Sequence, residues 1–357
     1  MALVLEDRDQ RIAQIEIVLD DEDGRGAIVH LVGHGVPFSS RSIRFPSGGG
    51  CQNFEPPAPA GQDAWSPSVW PGACLRNRGM SLLPRGYLDT TVAIESARAD
   101  GEAIRYRTIG TGFFIGLDYG DRSSSSAENY RLFLVTNRHV LADRDDLLIR
   151  VNTREGAARR VRLALAGGES RGWAVHPDER VDVAVVLINA RVLLEAGIEL
   201  GYFRPTDMAF VSTMKELDIG PGQELFVLGF PMGMSGVERN YVIARSGMIA
   251  RFDDEMLTAS RTFLIDAAVF PGNSGGPVIV KPNSDSLAGR RPIDQAYLIG
   301  MVRSYLPYEE IAYSLQTEPP TPRMVFTENS GLADVIPMDC VKEAADVLAS
   351  RRRPAGG

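Results

Sequence analysis

From Thr90 onward the chain is a succession of short apolar runs separated by turns. TVAIES, TGFFIGL, RLFLVTN, LLIRVN, VDVAVVLI, ELFVLGF, YVIARSGMIA, TFLIDAAV, AYLIGMV and DVIPM are rich in β-branched and aromatic residues, and Gly, Pro, Asn or Asp falls between them. Runs of this length and composition predict strands, and many short strands joined by Gly-rich turns predict a sandwich or a pair of barrels. Only one segment shows a clear helical period. In Asp339–Ser350 (DCVKEAADVLAS) the apolar residues Val341, Ala344, Ala345 and Leu348 fall at i, i+3, i+4 and i+7, which puts them on one face of a helix.

Residues 1–79 have a different texture. RIAQIEIVL (Arg11–Leu19) and AIVHLV (Ala27–Val32) flank the turn sequence DDEDGRG, which predicts a hairpin. Pro37–Arg78 is rich in Gly, Pro and Ser without a sustained period and reads as loop or disorder. Ordered character begins near Met80. One reading takes Met80 as the true start and residues 1–79 as an extension of the gene model; peptides from that segment in the native protein would refute it. The expected organisation is an N-terminal extension at 1–79, an ordered body at 80–350 in two halves (about 80–200 and 201–350), and a basic tail at 351–357.

Composition narrows the function. Gly 36 and Pro 22 among 357 residues favour a turn-rich, all-β body. The net charge of -8 argues against nucleic acid as a partner, and Arg351, Arg352 and Arg353 read as a solvated tail. No stretch approaches the ~20 apolar residues of a membrane span, so no membrane partner is expected. The first residues, MALVLEDRDQRIAQ, lack the basic and apolar regions of a leader. The cysteines Cys51, Cys74 and Cys340 form no CxxC pair, so neither a disulfide framework nor a zinc site is indicated. These features lead to the expectation of a bacterial cytoplasmic protein. No cofactor or metal is expected either. His30 and His34 have helical spacing in a context that is not helical. The acidic runs at 20–24 and Asp253–Glu255 lack the alternating ligand spacing of a calcium loop. Gly229–Gly233 (GFPMG) reads as a turn whose Phe and Met pack, and His176 as a loop residue without a carboxylate partner of its own.

Three segments carry candidate chemistry. FPGNSGGPV (Phe270–Val278) surrounds Ser274 with glycines. A serine hydroxyl needs a base and oxyanion donors; glycines let the backbone turn sharply so that the Gly272 and Ser274 N–H groups point at one spot. LFLVTNRHVL (Leu132–Leu141) places His139 just past a strand end. VDVAVVLI (Val181–Ile188) sets Asp182 beside an apolar strand, where an unpaired carboxylate would cost several kcal/mol and an imidazole N–H is a suitable partner. Each segment alone has a structural reading: a Gly-rich turn, a core histidine, a strand-start aspartate.

Taken in order, His139, Asp182 and Ser274 resemble the catalytic residues of the trypsin-like serine peptidases, in detail the bacterial HtrA-type branch. GTGFFIG (Gly110–Gly116) is similar to the family's GSGF-type strand, TNRHV to its TNxHV motif, VDVAVVLI to its D[IL]A[VL] strand, and DAAVFPGNSGGPV to its DAAxxPGNSGGP motif. GLADVIPMDCVKEAADVL is similar to its closing strand and helix. The resemblance covers about residues 90–350. It implies an all-β fold of two antiparallel six-stranded β-barrels, chymotrypsin-like, with a short C-terminal helix; the composition of residues 1–79 adds a poorly ordered N-terminal extension. It also implies a serine endopeptidase acting on protein or peptide substrates. His139 would be the general base, Asp182 the orienting residue, Ser274 the nucleophile, and the Gly272 and Ser274 N–H groups the oxyanion hole.

The resemblance further puts Ala268, Val269, Met301 and Val302 at the substrate site, with Gly331–Ala333 as a far wall. None is charged, which implies cleavage after small or medium apolar residues. Asn273 replaces the aspartate that pairs with a new N-terminus in zymogen-activated relatives, so activation by cleavage is not expected. No PDZ-like segment follows, so HtrA-type trimerisation is not carried over and the oligomeric state stays open. Leu306–Asn329 is an insertion, expected as a long loop bordering the substrate groove. Two alternatives stand beside the enzyme: a catalytically silent scaffold on a protease fold, and an effector protease triggered in bacterial stress or phage defence. Labelling of Ser274 by a fluorophosphonate separates the first from an active enzyme.

Overall fold

The structure, a computed structural model, describes residues 83–100, 103–119, 130–142, 144, 146–165, 172–283, 292–314 and 321–351, with the backbone of three earlier strands at 3–6, 12–19 and 27–33. The first ten strands are β1 Leu3–Glu6, β2 Ile12–Leu19, β3 Ala27–Gly33, β4 Thr91–Asp100, β5 Ala103–Asp118, β6 Tyr130–Thr136, β7 Asp146–Asn152, β8 Ala158–Ala164, β9 Trp173–Val175 and β10 Ala184–Ile188. The remaining six are β11 Glu224–Gly229, β12 Ile243–Arg251, β13 Phe263–Ala267, β14 Pro277–Val280, β15 Tyr297–Ser314 and β16 Thr321–Pro337. Between them lie helices α1 Arg85–Asp89, α2 Arg138–Leu141, α3 Ala190–Glu195, α4 Val211–Glu216, α5 Asp254–Ala259 and, last, α6 Met338–Ser350.

The second half is a closed barrel in the order β11-β12-β13-β16-β15-β14. The first half is one ten-stranded sheet, β3-β2-β1-β8-β7-β4-β5-β6-β10-β9. The all-β, two-part architecture is as expected, with the first half an open ladder among the described residues rather than a ring of six. The predicted hairpin is present: β2 pairs with β3 from Ala13↔Gly33 to Leu19↔Ala27. β1, which the apolar pattern did not reveal, joins it to the body by pairing with β8, Leu3↔Leu163 through Glu6↔Arg160. Pro37–Arg78 lies outside the described residues.

The burial pattern follows from what each strand faces. β13 alternates, with Phe263, Ile265 and Ala267 buried and Asp266 exposed, as one dry and one wet face require. β5 and β6 are apolar without alternation because both faces are covered. Phe113, Ile115, Phe133 and Val135 enter a core shared with the second half, whereas Phe114, Leu132 and Leu134 fill the interior of the first. Helix α6 closes the shared core: Val341, Ala344, Ala345 and Leu348 pack there with Val181, Val183 and Val185. The end of the chain thus roofs the first half, and the two halves are not independent bodies.

Four local expectations are corrected. Helices α1 to α5 have only four to six residues each, too few to display a 3.6-residue period. The acidic run at Asp253, read only as lacking calcium-loop spacing, starts a helix: the Asp253 carboxylate accepts from Met256 N at 2.9 Å and caps α5. In GFPMG, Phe230 is buried but Met232 is exposed and left-handed (φ 55°), so it does not pack. The insertion is no loop. β15 and β16 remain paired out to Ser314↔Thr321, forming a two-stranded arm beyond the barrel.

Candidate active site

The pairing of β10 with β6 creates the first part of the site. Its last rung is Ala184↔Thr136, which leaves Asp182 beside the turn into α2 that carries His139. The Asp182 carboxylate accepts from His139 Nδ1 at 2.6 Å through one oxygen and from His139 N at 3.0 Å through the other. The Asp182 carbonyl accepts from Asn137 Nδ2 at 2.8 Å. An ionised carboxylate can only accept, so the Nδ1 proton sits between the two groups and Nε2 keeps its lone pair. The Asp182 side chain is 18% exposed and His139 faces solvent.

Ser274 lies on the turn between β13 and β14, and the glycines there answer to close backbone approach. Gly272 (φ +100°) and Gly275 (φ +83°) are left-handed. A Cβ on Gly272 would run into the Phe230 carbonyl, and one on Gly275 into the Thr111 carbonyl. Bonds across the two halves fasten this turn. Thr111 Oγ1 donates to Gly272 O at 2.6 Å and Thr111 N to Ser274 O at 2.8 Å. Thr136 Oγ1 in turn donates to Thr111 O at 2.8 Å. Val140, next to His139, packs against the neighbouring Gly110. His139 with Asp182 from one half, and Ser274 from the other, are therefore held against the same Gly110–Thr111 corner. Among the described residues no carbonyl accepts from the Gly272 or Ser274 N–H.

The expected substrate contacts need correction. Ala268 is exposed, but Val269, Met301 and Val302 are buried and their side chains belong to the cores. Met301 and Val302, consecutive on β15, face opposite sides and fill different cores, and Val269 packs with Val302. What Val302 offers the site is its backbone: its carbonyl accepts from Gly275 N and its N–H donates to Gly276 O, both at 2.9 Å. Asp266 shares the outer face of β13 with Ala268, and its Oδ1 is 3.9 Å from where a Gly331 Cβ would stand. The base of the arm is tied to the same segment by Asn329 Nδ2, which donates to Val269 O at 2.6 Å. Asn273 is fully buried, its Oδ1 accepting from Phe270 N at 3.2 Å.

His176 does have a carboxylate partner, contrary to expectation. It is 2% exposed, and its Nε2 lies 2.7 Å from Glu343 of α6. Its Nδ1 accepts from Asp178 N at 3.0 Å, so Nε2 carries the proton and donates. Arg261 binds both Glu343 oxygens at 2.6 and 2.7 Å. Burial pushes the Glu343 carboxyl upward, but the bonds from His176 and Arg261 outweigh it and hold the group below the usual carboxylate range. The His176 carbonyl accepts from the Arg138 guanidinium at 2.6 Å, so the pair braces the turn that presents His139. Nearby Cys340 is a buried thiol pushed up to about 11 by desolvation, with Arg261 pulling the other way. Among the described residues no group of three or more His, Cys, Asp or Glu is placed to share a metal ion.

A histidine held by an aspartate and a glycine-lined serine turn are thus brought to one corner from two β halves. Residues 110–284 match the family model described as the trypsin-like peptidase domain. A curated relative from Pseudomonas fluorescens, "Probable periplasmic serine endoprotease DegP-like", is 24% identical over 172 residues, 48% of this chain and 27% of the relative. The chain thus spans about a quarter of the relative it matches. Two solved structures are also similar. One is the HtrA-type protease AlgW with decapeptide: TM-score 0.40, 18% identity, covering 74% of this chain and 64% of that one. The other is the MamO protease domain from Magnetospirillum magneticum: TM-score 0.36, 14% identity, covering 75% and 98%. The cytoplasmic expectation is overturned by the periplasmic relative: a cysteine count and the character of the first residues do not carry a compartment. Among the described residues no helix is long and apolar enough to cross a membrane.

Proposed function

We propose that this chain hydrolyses peptide bonds through an acyl-enzyme intermediate, with Ser274 as nucleophile, His139 as general base and Asp182 as the residue that orients and stabilises the imidazole. The observation that carries the reading is the 2.6 Å contact between His139 Nδ1 and Asp182, which leaves Nε2 free to take a proton. In the first step Ser274 Oγ bonds to the substrate carbonyl carbon and its proton passes to His139 Nε2. The carbonyl oxygen, now an anion, lies at the Gly272 and Ser274 N–H groups. His139 then returns the proton to the departing amine as the C–N bond breaks. A water repeats the sequence in reverse roles and frees Ser274. At the cleaved position small or medium apolar residues are preferred, since exposed Ala268 brings no charge, and a desolvated ammonium without a counter-charge costs several kcal/mol.

The test is cleavage of a peptide library by the wild-type protein and by Ser274→Ala. Cuts after Ala, Val or Leu that vanish in the variant are expected. Hydrolysis that survives the substitution, or none by the wild type, removes the assignment.

A further inference from the structure

We propose that the β15–β16 arm is a docking edge for the stretch of polypeptide preceding the cleaved bond, which adds as a third strand along β15 from Arg303 to Tyr313; the proposal rests on the peptidase reading above. The edge starts beside the nucleophile. β14 runs antiparallel to β15 and pairs with it as far as Pro277↔Met301. Gly275 and Gly276 then bond to Val302, and the chain departs at Ser274. From Arg303 outward that side of β15 has no partner strand among the described residues, whereas its other side stays paired with β16 out to Ser314↔Thr321. A segment that takes over the lane of β14, in the same antiparallel sense, has its C-terminal end at Ser274 and its earlier residues along the arm. About ten residues of edge, at ~3.3 Å each, span ~30 Å; Pro307 brings no N–H and the ladder shifts register at Tyr305/Pro307 and Ala312/Tyr313, so the regular run of donors and acceptors is Tyr308 to Ala312.

The side chains of the arm suit such an occupant. A two-stranded ribbon is at best marginally stable alone in water, and an open edge is a template for pairing. This ribbon exposes Tyr308, Ile311, Tyr313, Met324, Val325 and Phe326, each between 43% and 56%. The register sorts them. Glu310↔Phe326 and Ala312↔Met324 share the face of Tyr308↔Glu328, and Ile311↔Val325 shares the other with Glu309↔Thr327. Each face is therefore an apolar row bearing carboxylates. The complementary ligand is an extended, unfolded segment with apolar side chains at alternate positions and basic rather than acidic ones between them. A compact folded protein cannot present a free strand of that length.

Two peptides test this. One begins four residues before the cleaved bond; the other is the same peptide extended by eight residues of alternating Val and Lys. The longer peptide is expected to have a kcat/KM about tenfold higher, through KM, a gain of about 1.4 kcal/mol. The double substitution Tyr308→Ser/Ile311→Ser, at exposed positions, brings the ratio of the two toward one, and so does N-methylation of alternate amides in the extension. In Ser274→Ala protein, fluorescence anisotropy reads binding of the labelled long peptide directly, and the same double substitution weakens it about tenfold. Equal kcat/KM for both peptides, or binding indifferent to the double substitution, overturns the proposal. If neither peptide is cleaved yet arm-dependent binding persists, the peptidase reading fails and the docking edge stands. A concentration-dependent dimer that needs Tyr308 and Ile311, without peptide binding, makes a second copy the occupant and overturns it.

Discussion

The hydroxyl of Thr111 donates to the carbonyl of Gly272 at 2.6 Å and accepts from Phe230 N at 3.2 Å. One side chain of the first half thereby fixes the Gly272–Asn273 peptide plane of the second, between the Gly272 and Ser274 N–H groups. Replacing Thr111 with Val keeps the shape and leaves the buried Gly272 carbonyl without its donor. The oxyanion donors then lose their aim, and a misplacement of about 1 Å is worth up to about 10² in rate. A fall of about 10- to 100-fold in kcat with little change in KM, restored largely by Thr111→Ser, is expected from steady-state kinetics. A loss confined to KM would show that Thr111 acts on binding instead.

Ser274→Ala and His139→Ala should each reduce turnover by about 10⁴ to 10⁶, with the double variant little worse than either, because the two act as a unit. Asp182→Asn keeps the turn but reverses the tautomer preference of the imidazole, at a cost of about 10⁴. Activity should fall on acidification, since the base must be neutral to accept the serine proton; a profile flat from about pH 5 to 9 with chemistry rate-limiting contradicts the role of His139.

Glu343 links stability to pH. Its carboxyl is held below its ordinary value by His176 and Arg261 against the opposing effect of burial. A depressed acid contributes stability above its unfolded value, and that contribution is lost as pH falls through the folded value. Glu343→Gln should therefore lower Tm at neutral pH, by an amount equivalent to about 1 kcal/mol because the side chain is partly exposed. The gap to wild type should close on acidification. A gap independent of pH, measured by thermal melts across the acid range, would assign the loss to packing.

Ala268 provides a test of the pocket. If it faces the cleaved residue, Ala268→Asp should raise the kcat/KM for Lys over Leu at that position by about tenfold or more. An unchanged ratio places the pocket elsewhere.

The strands and the candidate residues of the site were legible because their patterns are local. β5 and β6 are long apolar runs, and Ser274, His139 and Asp182 each sit in a short motif beside such a run. What was hidden depends on contacts between distant parts of the chain. β8 is ARRVRLA, in which Val161 and Leu163 point inward while Arg160 is neutralised by Glu95 at 2.6 Å; its arginines mask the alternation. His176 meets Glu343 across 167 residues, so no neighbouring carboxylate announced it. The arm lacks alternation because neither face is buried, and its turn-forming residues made it resemble a loop.

The central claim is that Ser274 is a nucleophile activated by His139. It is tested most directly by reacting the folded protein with a fluorophosphonate and locating the adduct by mass spectrometry. Stoichiometric labelling on Ser274, slowed strongly in His139→Ala and absent after denaturation, is the predicted result. An unlabelled Ser274 in folded wild-type protein, or labelling at the same rate without His139, would contradict the account.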